Sequence, residues 1–162
     1  YQTLLEDGVK AKQACDLNIV TPALENIIEA NILLSGLGFE SGGLAAAHGI
    51  VDGLTILPGT HKYMHGEEVA FGTLCHMMLE NAPTEELEEV LDFCLDVGLP
   101  VCLADIGVES ISPEELRQVA EKASIPEEST HAMPFPVNAQ TVAAAIVAAD
   151  QIGRAYKRER AK

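Results

Sequence analysis

Gly42–Leu57, GGLAAAHGIVDGLTIL, is an almost wholly apolar run with one imidazole, His48, near its middle. It reads as a helix, and a helix apolar on all sides is a buried helix. A neutral imidazole there leaves a donor or acceptor unpaired, at about 1–3 kcal/mol, unless something binds it. Seventeen residues on, His65 opens HGEEVAFGTLCHMM, a second helical pattern. What the two imidazoles meet decides the chemistry of the chain.

Outward from this run the chain reads as mostly helix, since aromatic residues are only 4% and alanine is abundant, which suits helices better than strands. Tyr1–Ala14 has the pattern of the later part of a helix. Thr21-Pro22 is a start signal, with threonine as N-cap and proline at the first helical position. Leu24, Ile27 and Ile28 follow as its apolar stripe, with Glu25 and Glu29 facing away. Gly36–Gly43, GLGFESGG, reads as a glycine-rich corner leading into the His48 helix, which Pro58-Gly59 breaks.

Beyond His65 a helix is expected from about Gly66 to Glu80, and Pro83-Thr84 restarts the chain. Leu87, Val90, Leu91 and Cys94 then repeat the i, i+3, i+4, i+7 spacing until Gly98-Leu99-Pro100. Ser112-Pro113-Glu114-Glu115 is a capping box that predicts a helix over Glu114–Ala123. A proline-rich loop reaches Pro136. The last helix, about Asn138–Arg158, carries small residues that permit close packing. The expectation is an all-α bundle of about seven helices in a single domain over residues 1–162.

Composition excludes several functions. At 162 residues, 48% hydrophobic and 22% charged, the chain is globular rather than disordered. A net charge of −15 argues against nucleic acid, because phosphate backbones require clustered Lys and Arg. The basic tail Arg154–Lys162 is explained as a helix end favoured by the macrodipole. With no apolar run of about 18 residues and no leader pattern, neither a membrane span nor a secretory signal is expected. Cys15, Cys75, Cys94 and Cys102 form no CxxC pair, and three sit among apolar residues, which points to reduced thiols in the cytoplasm.

His48 and His65 on neighbouring helices could supply two of the three protein ligands of a catalytic zinc. From spacing alone that signal is weak, and a core histidine bonded to a carbonyl is the favoured reading. His61 falls in a Pro/Gly/Thr loop and reads as a surface residue, while His76 and His131 have no partner nearby in sequence. Gly36-x-Gly38-x-x-Ser41-Gly42 does not bind a dinucleotide, because that fingerprint needs a preceding strand and a βαβ unit. Cys75 and His76 are adjacent on a helix and point in different directions.

Longer text is more specific. GFESGGLAAAHGIVDGLTILPGTHKYMHGEEVAFGTL (Gly38–Leu74), IVTPALENIIEAN (Ile19–Asn31) and LENAP (Leu79–Pro83) resemble the metal-binding part of glycerol dehydrogenases, within the iron-containing alcohol dehydrogenase superfamily. The resemblance implies the dehydroquinate synthase-like C-terminal helical fold of that superfamily. It places the two histidine ligands of the family zinc at His48 and His65, and a substrate-side aromatic at Phe39. It implies zinc and NAD as cofactors, glycerol as substrate, and a homo-oligomer or an NAD-binding half as partner. The family's third ligand, an aspartate, and its NAD-binding domain precede the segment matching Tyr1, so an incomplete, weaker metal site and no NAD reduction are expected of these residues alone. The alternative is a non-catalytic helical assembly module. The family often has histidine then asparagine where this chain has Val51 and Asp52.

Overall fold

Local signals decide most helix boundaries. The structure, a computed structural model, describes all residues from Tyr1 to Lys162 and contains eight α-helices and no strand. They fall into two compact units, Tyr1–Gly43 and Leu44–Lys162.

In the first unit, α1 (Gln2–Asp16) is followed by α2 (Pro22–Glu29), a π-helical turn (Ala30–Leu34) and α3 (Ser35–Gly42) without a break in the chain. Thr21 caps α2, its hydroxyl accepting from the Leu24 N–H at 3.3 Å with Pro22 at the first position. Small residues Gly8, Ala11 and Ala14 are buried on α1, and Asn26 donates to the Asp7 carboxylate at 2.8 Å. Gly36–Gly42 is helix rather than the expected corner. Glycine weakens a helix by about 1 kcal/mol without ending it, and only Gly43, at φ 70°, turns the chain. Ile32, Leu33, Leu34, Leu37 and Phe39 are exposed.

The second unit holds α4 (Ala46–Leu54), α5 (His65–Leu79), α6 (Thr84–Val97), α7 (Pro113–Lys122) and α8 (Ala139–Arg160), with single 3₁₀ turns at Thr60–Lys62, Leu103–Ile106 and Ser129–Ala132. Since α2, the π turn and α3 are one continuous rod, the chain has seven helical rods, as the periodicity predicts. Ser112 and Glu115 form the predicted capping box on α7, and Asn138 with Thr141 caps α8. Gly98, left-handed at φ 83°, ends α6.

Its core is built from Ile50, Leu54, Phe71, Leu74, Leu91, Ile106, Val119, Val142 and Ile146, all almost fully buried. α4 packs between α5 and α7, and α5 lies in turn on α8. One buried carboxylate ties the layers: Asp150 on α8 accepts from the Leu103 N–H at 2.9 Å and from Arg154 Nε at 2.9 Å. At Gly153 on the same helix a Cβ would lie 1.8 Å from the Val101 carbonyl oxygen, so the two backbones touch. Cys75, Cys94 and Cys102 are buried free thiols and Cys15 is exposed. No helix is long and apolar enough to cross a membrane.

Candidate metal centre

α4 and α5 bring His48 and His65 together. His48 is the third residue of α4 and His65 the first of α5. Their ring centroids are 5.4 Å apart and the planes are tilted by 51°. The connection is pinned at several points: Thr60 Oγ1 donates to the Leu57 carbonyl at 3.2 Å, and Glu67 accepts from the Met64 N–H at 2.8 Å. The latter fixes the first turn of α5 and with it the backbone that carries His65.

The expected all-round burial of α4 is only partly met. Ala46, Gly49, Ile50, Val51, Gly53 and Leu54 are buried, whereas His48 is half-buried and Asp52 exposed. His48 therefore lies at a surface rather than in the core, and the carbonyl partner that a core histidine needs is not there. Neither imidazole hydrogen-bonds to any group of the chain. Burial holds the His48 pKa below its ordinary value of 6.5, the neighbouring His65 ring pushes it the same way, and the Asp52 carboxylate opposes them. A lowered pKa keeps the ring neutral, the form that donates a lone pair to a metal.

The donor chemistry fits a divalent ion in part. Two imidazoles on one tetrahedral zinc, with Zn–N bonds of about 2.0–2.1 Å, have centroids roughly 5 Å apart, and 5.4 Å is close to that. No third His, Cys, Asp or Glu joins them in a ligand group. The structure thus brings two imidazoles together with no third ligand-type side chain grouped with them.

The other histidines are held elsewhere. The ring of His61 contacts the Thr55 carbonyl oxygen at 2.8 Å, beyond the C-terminus of α4. His76 lies 3.5 Å from Glu80 on its own helix, and His131 contacts the carbonyls of Ser124 and Ile125 at 3.2 and 3.1 Å. Phe39 sits on α3 in the first unit with 58% of its surface exposed.

Two surroundings of α4 had no signal in the sequence. Ser129 donates to the Ala45 carbonyl at 3.0 Å, fixing the residue before the helix. Glu128, in the same turn, has its carboxyl pushed above the ordinary range by burial and by Asp52, so a pair of acidic groups borders the helix one turn beyond His48. They come from segments more than 70 residues apart, which no local pattern joins.

No family model matches the chain. Curated relatives do. Glycerol dehydrogenase from Thermotoga maritima is 55% identical over 157 residues, which is 97% of this chain and 43% of the relative. The glycerol dehydrogenase of Escherichia coli O6:H1 is 51% identical over 98% of this chain and 43% of its own length. Among solved structures, a probable glycerol dehydrogenase from Sinorhizobium meliloti 1021 superposes with a TM-score of 0.91 at 51% identity, covering 95% of this chain and 43% of that one. Glycerol dehydrogenase from Schizosaccharomyces pombe gives 0.94 at 38% identity, over 99% and 41%. The chain therefore spans about 43% of the length of the curated relatives that it matches.

Proposed function

We propose that this chain, homologous over nearly all its length to the C-terminal part of glycerol dehydrogenases, provides the metal- and substrate-binding helices of a polyol oxidoreductase. The observation that carries the reading is the pair of imidazoles 5.4 Å apart with no hydrogen-bond partner in the chain. In this reading His48 and His65 are the metal ligands, and Phe39 is the aromatic assigned to the substrate. Zinc bound at such a site supplies Lewis-acid polarisation of a substrate hydroxyl, which lowers its pKa.

The residues of the chain contribute binding and orientation. Burial of His48 keeps its lone pair free of a proton at neutral pH, and the Glu67 contact to the Met64 N–H fixes where α5 begins. With two donors, the site leaves positions for a further ligand and for the vicinal oxygens of a small polyol such as glycerol. The nicotinamide cofactor needs a βαβ frame, and residues 1–162 contain no strand. NAD, and the remaining metal ligand, would be held outside these residues.

Metal analysis tests the ligand assignment. Chain titrated with zinc at equilibrium is expected to bind about one ion per chain weakly, and His48→Ala and His65→Ala to bind far less at unchanged helix content. Equal binding by His48→Ala would refute the reading.

A further inference from the structure

We infer that Gly72 is a positioning residue for the histidine pair: its lack of a side chain sets how closely α4 and α5 approach, and so the gap between the two rings. The inference rests on the ligand reading above. Gly72 is seven residues after His65, two helical turns on, and therefore on the same face of α5. That face meets α4 beside the other imidazole. A Cβ on Gly72 would lie 2.5 Å from the carbonyl oxygen of Ala47, the residue before His48, and 3.0 Å from Val51 Cγ2. The backbones of the two ligand-bearing helices thus touch one residue from His48.

The contact is not adjustable by rotamer. The opposing atom belongs to the backbone of a helix whose other side is equally close-packed: Gly49 lies against the Thr130 backbone and Gly53 against the Val119 carbonyl. Non-bonded heavy atoms settle at about 3.5 Å, so a methyl at position 72 requires one helix to retreat by the order of 1 Å. Binding sites tolerate displacements of about 0.5 Å. Widening a gap of 5.4 Å by that amount strains the geometry in which both rings reach one ion.

The test uses the full chain titrated with Co²⁺ by calorimetry, alongside thermal melts of the metal-free protein. Gly72→Ala is expected to weaken Co²⁺ binding by roughly 10–100-fold, the usual cost of disturbing the support of a ligand. Val51→Ile enlarges the same contact more gently and is expected to weaken binding in the same direction; it also serves if Gly72→Ala does not fold. Gly98→Ala is the control for general damage, because Gly98 ends α6 in the left-handed conformation at φ 83°, where any Cβ is strained, away from α4, α5 and their connection. It is expected to lower the melting temperature while keeping Co²⁺ affinity within about twofold. Wild-type affinity in a folded Gly72→Ala or in Val51→Ile overturns the inference, as does an equal loss in Gly98→Ala. These outcomes leave the ligand reading intact if His48→Ala abolishes binding. Undiminished binding by His48→Ala refutes the ligand reading, and the spacer role falls with it.

Discussion

Gly153→Ala should be among the most damaging single-methyl changes in this chain. The added Cβ would lie 1.8 Å from the Val101 carbonyl oxygen and 2.7 Å from its carbon. Val101 and Cys102 are themselves buried, so the segment has no free side to move into. α8 must shift outward, and the bond from the Leu103 N–H to Asp150, 2.9 Å long and one turn from Gly153, is lost or stretched. Overpacking costs about 1–3 kcal/mol and an unmet buried polar group about 1–3 kcal/mol. The better helix propensity of alanine returns about 1 kcal/mol. The net is about 1–5 kcal/mol, which for a chain of this size lowers the melting temperature by roughly 2–20 °C. Gly38→Ala is the matched comparison, because Gly38 is mid-helix in α3 with nothing within 4 Å of its Cβ position. There the propensity term stands alone, and the substitution should stabilise by about 1 kcal/mol. Circular dichroism melts at 222 nm read both. An unchanged or raised melting temperature for Gly153→Ala would refute the close-approach argument.

Two further outcomes follow from the charged and thiol groups. Asp52→Asn should raise stability slightly at pH 7, by no more than about 3 °C for groups so near solvent, because it removes the carboxylate facing Glu128. A carboxyl whose folded pKa is raised favours the native state at low pH and loses that contribution as pH rises through the folded value. The advantage of the asparagine variant should therefore shrink as pH falls and Glu128 takes up its proton; a constant difference from pH 3 to 7 would contradict it. Among the four cysteines, burial pushes Cys94 up to about 11 and Cys75 higher still, whereas Cys15 is exposed. A disulfide reagent at pH 8 should label one thiol of the native chain quickly and the others only on unfolding, and rapid labelling of a second thiol would count against the core as described.

Helix existence was legible because the signals were local. Thr21-Pro22, Ser112–Glu115 and Gly98 each act on the backbone within a few residues, and all three mark the boundaries found. The glycines were misleading for a related reason. Gly36, Gly38 and Gly42 have the same composition as a turn, but no positive φ is demanded of them, so helix wins; Gly43 alone takes φ 70°. Burial around His48 was legible as a tendency and wrong in detail, since an apolar run says how much surface wants cover and not which face obtains it. The Ser129–Ala45 bond and the Asp52–Glu128 proximity were invisible, because they depend on how α4 docks and not on any segment's own pattern.

The same distinction explains why the two histidines were easier to find than the residue proposed to space them. A ligand advertises itself by chemistry, whereas a spacer is recognised by what it lacks. Gly66 and Gly72 sit on one helix and look alike in sequence. A Cβ on Gly66 would meet nothing within 4 Å, and one on Gly72 would enter the Ala47 carbonyl. Only the second therefore sets the α4–α5 approach on which the proposed spacing of the imidazoles depends. The chain tolerates that tight contact because α4 is wedged by glycines on its α7 and turn-facing sides as well, at Gly53 and Gly49. A helix held so closely on three sides has little room to shift, which fixes the backbone that carries His48. On the ligand reading proposed above, a fixed backbone beneath His48 is what gives two donors, rather than a complete ligand set, a defined bite for an ion.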